Sequence, residues 1–163
     1  MKRVPAVKGA TKEPQILVEF QAGMTFPETQ TSGVRLVVWG DRSVLYWVDP
    51  MHPAKDMRVG QLSESQLEAA WKTVHESGLT THPDAAYVVP DASSVRVVIQ
   101  VEGKTHTHWA SDYRLTNTGW WSKAEEALAK FRPATSQPVA EVATGGMYRG
   151  YDVKEWWRTS WRR

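Results

Sequence analysis

Two histidines one residue apart, His106-Thr107-His108, come nearest in this chain to the type and spacing that metal chemistry needs. On a β-strand, residues i and i+2 project from the same face, so both imidazoles can reach one ion, with Asp112 or His82 as a third ligand. The same segment carries the counter-argument. Pairing it as a hairpin with the preceding run sets Arg96 opposite His108, and a guanidinium there repels a divalent cation. The expectation is that His106 and His108 face solvent and hold no metal. A metal-dependent enzyme built on His106, His108 and Asp112 is the alternative.

Other chemistries find less to work with. Ser111-Asp112 follows His108 closely, but no Gly-x-Ser-x-Gly places a nucleophile on a sharp turn. Gly145-Gly146 is too short to cradle a phosphate, and no glycine-rich loop joins a strand to a helix. Glu125 and Glu126 are adjacent, and neighbours on a helix diverge by about 100°, so the pair reads as a solvated face. Cysteine is absent, which excludes disulfides, thiolate ligands and cysteine nucleophiles. A non-catalytic chain without a cofactor is expected.

Recognition chemistry is better represented. Residues 152–163 gather Trp156, Trp157 and Trp161, three of the nine tryptophans, among Arg158, Arg162 and Arg163. Tryptophan and arginine each join a large apolar face to a hydrogen-bonding handle, the combination enriched where surfaces bury against one another. Asp152 can cap a helix with Glu155 at its third position, which lines Val153, Trp156, Trp157 and Trp161 along one side. That side has two destinations, a partner or the chain's own hairpin.

Charge favours an acidic partner. The chain carries +2 overall, but residues 1–14 and 148–163 each carry +3, leaving −4 for the body. Trp39 and Tyr46, on the first hairpin, extend the expected docking surface. Nucleic acid is the alternative partner, with Arg35 added to those aromatics as a stacking platform.

The elements that position these residues follow from periodicity. Ile16 to Phe20 reads as a strand, and residues 34–39 and 44–48 read as a hairpin about Asp41-Arg42. That tip puts Leu36 and Val38 with Leu45 and Trp47, and Arg35, Val37 and Trp39 with Val44, Tyr46 and Val48. Both faces are apolar, so one must meet a helix and the other the C-terminal segment or a partner. Residues 49–62 and 80–94 read as loops.

Ser63 with Gln66 forms a capping box, Leu67, Ala70, Trp71 and Val74 form one stripe, and Gly78 ends the helix. Val95, Val97, Ile99 and Val101 alternate inward on a second hairpin. With Gly103 in a three-residue loop, Gln100 pairs with Lys104, and Thr105, Thr107 and Trp109 join the apolar face. A second helix runs from about Gly119 to Phe131, with Trp121, Ala124, Leu128 and Phe131 inside, and Arg132-Pro133 stops it.

The predicted fold is α+β, a small antiparallel sheet of about five strands in two hairpins, with one or two helices on one face and extended arms at both ends. Residues 1–15 are expected to be a basic arm, 16–132 the domain, and 133–163 a linker with the tryptophan- and arginine-rich segment. No run is long enough to cross a bilayer and no leader is visible, so a cytoplasmic location is expected. The expected function is a non-catalytic protein-binding module: an accessory subunit, an inhibitor or an immunity-type protein.

Overall fold

Valine, isoleucine and aromatic side chains favour extended backbone and pack well on a pleated surface, and they dominate the strands at Gly33–Trp39, Ser43–Trp47 and Ser94–Val101. The computed structural model describes residues 14–21, 33–48, 57–87, 92–111, 119–145, 147–149 and 151–152. In chain order these form β1 (Pro14–Gln21), β2 (Gly33–Trp39), β3 (Ser43–Trp47), β4 (Met57–Gln61) and α1 (Glu64–Ser77). Then follow β5 (Ala85–Tyr87), β6 (Ser94–Val101), β7 (Lys104–Ser111), α2 (Gly119–Ala129), β8 (Ser136–Pro138) and the one-turn α3 (Val139–Val142). The two-residue strands β9 (Met147–Tyr148) and β10 (Tyr151–Asp152) pair with each other.

The first eight strands make one sheet in the order β5-β7-β6-β1-β2-β3-β4-β8, antiparallel throughout except where β5 runs parallel to β7. The architecture is α+β, and the sheet is larger than the five strands expected. The additions are β4, β5 and β8, short segments from stretches that read as loops or linker.

Both hairpins differ from their expected register by one residue. The first closes with a three-residue loop, Gly40-Asp41-Arg42, with Arg42 at φ 72°. The Ser43 amide donates to Asp41 Oδ1 at 3.1 Å, a local turn that competes well with a two-residue closure. Leu36 therefore lies opposite Tyr46 and Val38 opposite Val44. The second hairpin closes with two residues, Glu102 (φ 49°) and Gly103 (φ 73°), both left-handed as a type I′ turn requires, and pairs Val101 with Lys104. A one-residue slip exchanges the faces of a whole strand. His106 and His108 therefore turn inward, while Thr105, Thr107 and Trp109 turn outward.

Two cores result, one on each face of the sheet. On the helix face, Ile16, Val18, Phe20, Leu36, Val38, Val44, Tyr46 and the inward valines of β6 meet Ala70, Trp71 and Val74 of α1 and Trp121, Ala124, Ala127 and Leu128 of α2. The capping box on α1 forms as the sequence requires, and Gly78 ends the helix at φ 93°. On the outer face, Val37, Trp39, Leu45, Trp47, Met57 and Val59 are covered by Val139, with Val142 and Tyr148 packed beside them. The residues that cover this face, Val139, Val142 and Tyr148, come from the stretch read as linker, and the tryptophan- and arginine-rich segment expected there lies outside the described residues. No helix among the described residues is long and apolar enough to cross a membrane.

Candidate functional site: an arginine-rimmed cleft

Strict alternation along β2 would place Arg35 on the outer face with Val37 and Trp39. A bulge prevents this. Val18 pairs with Leu36 and Glu19 with Val34, so Arg35 is an extra residue on β2. Bulges re-aim side chains. Here the Arg35 guanidinium lies over the Phe20 ring, on the helix face, 4.1 Å from its centroid.

That placement helps to form a cleft of about 250 Å³ between the sheet and α2. Val18, Leu36, Tyr46 and Val95 line it from the sheet, Trp121 and Leu128 from the helix, and Arg35, Glu125 and Arg132 supply its charges. A single water needs only about 10–15 Å³, so this is no packing defect. It is also smaller than the roughly 300–1,000 Å³ of pockets that enclose a drug-sized ligand. Its capacity suits one large side chain or a small molecule.

The cleft wall is fixed by polar contacts behind it. Tyr46 donates its hydroxyl to Ser136 Oγ at 2.9 Å, and Arg58 Nε donates to the same oxygen at 2.7 Å. Arg58 also donates to the Ser136 carbonyl at 2.7 Å, so β8 and β4 hold the phenol in place. Arg132, one residue beyond Phe131 at the end of the helical segment, sits with its guanidinium 5.7 Å from the Tyr46 ring centroid. Glu125 and Ala129, both exposed on α2, complete the mouth.

A second polar cluster ties the C-terminal segment to the first hairpin. Arg149 grips the Asp41 carboxylate through both guanidinium ends, with Nη1 at 3.3 Å from Oδ1, and donates from Nη2 to Ser43 Oγ at 2.9 Å. Its guanidinium lies 4.8 Å from the Trp39 ring centroid, and Tyr148 meets Trp39 edge-on at 6.0 Å. Desolvation alone would raise the Asp41 carboxyl, but hydrogen bonds from Arg149 and Ser43 outweigh it and hold it below the usual carboxylate range.

The expected docking residues are distributed accordingly. Trp39 is fully buried under Tyr148 and Arg149 of its own chain, so it offers no face to a partner. Tyr46 is 8% exposed and contributes its ring to the cleft. Trp156, Trp157, Arg158, Trp161, Arg162 and Arg163 lie outside the described residues, as does Asp112.

The histidines correct the sequence reading. His108 is 2% exposed and its Nε2 lies 2.9 Å from the Leu79 carbonyl, while His106 is half-buried with Nδ1 4.0 Å from Asp84. Arg96 lies opposite Trp109, not His108, and pairs with Glu19 at 2.7 Å. His82 packs on Gly78 at the end of α1. Among the described residues, no three His, Cys, Asp or Glu side chains are grouped to hold a metal ion.

Arg132 entered the sequence reading only as a helix stop, and Arg35 only as a possible stacking residue. A charge inside the run Val34 to Trp39 fits a solvent-facing position as well as a bulge, so no signal in the sequence joins Arg35 to Arg132. Comparison with models of known protein families finds no match for this chain, and comparison with curated proteins finds none either.

Proposed function

We propose that the protein is a non-catalytic binding module, an accessory subunit, inhibitor or immunity-type protein, which docks an acidic segment of another protein in the cleft between α2 and the sheet. The observation that carries this reading is the pairing of apolar walls with two arginines at a cleft sized for one large side chain. Interface energy concentrates where an aromatic or aliphatic anchor fills a desolvated pocket, and flanking charges add orientation and on-rate. Arg35 and Arg132 favour carboxylates beside the anchor. Glu125 at the same mouth disfavours a continuous polyanion, which separates this reading from nucleic-acid binding.

The test uses a photo-crosslinking side chain at position 129. Crosslinking in an extract of the native host should capture a protein with an acidic docking segment. Capture should be lost in Arg35→Glu/Arg132→Glu and kept in Lys72→Glu, a charge change on the exposed side of α1. Equal capture by all three chains would reject the cleft as the docking site.

A further inference from the structure

The cleft has a direction. On the sheet its lining comes from four neighbouring strands, with Val95 on β6, Val18 on β1, Leu36 on β2 and Tyr46 on β3. Val18 pairs with Leu36 and Leu36 with Tyr46, so these three form one row across the strands. Four strands are three spacings wide, about 14 Å. On the other wall Trp121, Glu125, Leu128 and Arg132 recur at i, i+4, i+7 and i+11, one edge of α2 continued just past its last turn. That edge is about 16 Å long. The two lengths agree, so α2 and the cleft cross the strands together. Arg132 stands at Tyr46, the β3 end, which leaves Trp121 with Val95 at the β6 end.

The two arginines are separated along this direction. Arg35 belongs to β2, but its guanidinium lies over Phe20 of β1, whereas that of Arg132 lies beside Tyr46 of β3. From β1 to β3 is two strand spacings, about 10 Å. Leu36 of β2 lies between them and faces Leu128, an apolar stretch of wall where an anchoring side chain can enter. One carboxylate cannot reach both cations. Two can, one on each side of the anchor.

We infer, building on the docking role proposed for the cleft, that the partner's acidic segment binds as extended chain, along α2 and across the strands from β6 to β3. Arg132 then reads the carboxylates on one side of the anchor and Arg35 those on the other. Five residues span about 13 Å when extended and about 6 Å in a helix, so only the extended form lays its two flanks on both guanidinium groups. The anchor sets affinity, and the separated charges set which order of residues is accepted.

Two mixed peptides, Lys-Lys-Trp-Glu-Glu and Glu-Glu-Trp-Lys-Lys, distinguish the flanks. By fluorescence anisotropy, Arg132→Glu should prefer one of them by at least about ten-fold, and Arg35→Glu should prefer the other by a similar factor. If both variants prefer the same peptide, or neither discriminates, the extended arrangement is overturned, while tight binding of Glu-Glu-Trp-Glu-Glu to the wild type would leave the docking role standing. Failure of the wild type to prefer that peptide over Glu-Glu-Ala-Glu-Glu would overturn both. Arg35 is half-buried, so a second readout uses the wild type alone. A photoreactive group at the first or the last position of Glu-Glu-Trp-Glu-Glu should mark opposite ends of α2, one near Trp121 and the other near Arg132. Marking of one end by both peptides would also overturn the extended arrangement.

Discussion

Among the described residues, Glu19 is a carboxyl group held out of solvent. Its side chain is 3% exposed on the outer face of β1, 2.7 Å from Arg96 on β6. Burial raises its pKa, and the Arg96 charge and hydrogen bond offset this only in part, so the net shift is upward. A carboxyl with a raised folded-state pKa contributes most stability below its unfolded value and loses that contribution as pH rises through the folded value. The wild type should therefore gain on Glu19→Gln as pH falls from 7 towards 4, read by denaturant unfolding of both chains. A pH-independent difference would place Glu19 in solvent.

Trp71 makes the simpler case. It is buried, meets Phe131 edge-on at 5.7 Å, and belongs to the stripe that the helical period marked in advance. Trp71→Ala should cost about 3–5 kcal/mol, whereas a loss below about 0.5 kcal/mol would mean a surface position.

At the scale of elements, the strongly patterned segments were legible and the register was not. The capping box of α1 and the alternation of β6 rest on many residues, but hairpin register rests on one or two turn residues whose loop length is open. Asp41 closing on the Ser43 amide, and Glu102 accepting a positive φ, decided the faces of Tyr46 and His108. Gly60 shows the same limit. A Cβ there would come within 2.5 Å of the Thr135 carbonyl oxygen and 2.8 Å of Pro133 Cγ, so this glycine lets the chain leading into β8 lie against β4. Gly60→Ala should destabilise by about 1–3 kcal/mol through overpacking, with the Tyr46–Ser136 contact disturbed.

The Arg149–Asp41 pair behaves oppositely to Glu19 with pH. Its lowered Asp41 pKa gives stability above the ordinary carboxylate value that is lost as pH falls through the folded one. Asp41→Asn should thus remove a small acid-sensitive contribution, under about 1 kcal/mol for so exposed a pair. The two variants should trend in opposite directions with acid, measured in the same unfolding series.

For the whole molecule, local pattern supplied five of the eight strands of the main sheet and both large helices, but not the order in which the sheet assembles them. β1 lies between β2 and β6, joining the two hairpins into one sheet, and β8 returns from after α2 to the far edge. Such pairings are non-local, and the three-residue strands β5 and β8 carry no periodic signal. The cleft inherits this. Its walls come from β1, β2, β3, β6 and α2, which only the assembled sheet brings together.

Its proposed role can be measured without knowing the natural partner, by fluorescence anisotropy with labelled five-residue peptides carrying two glutamates on each side of a central tryptophan, leucine or alanine. The tryptophan or leucine peptide should bind at least about ten-fold more tightly than the alanine peptide, and Arg35→Glu/Arg132→Glu should abolish the difference. Peptides with lysine in place of glutamate should not bind. Equal affinity for all of the peptides, or binding unaffected by the double charge reversal, would contradict the assignment of the cleft as a docking site for an acidic partner.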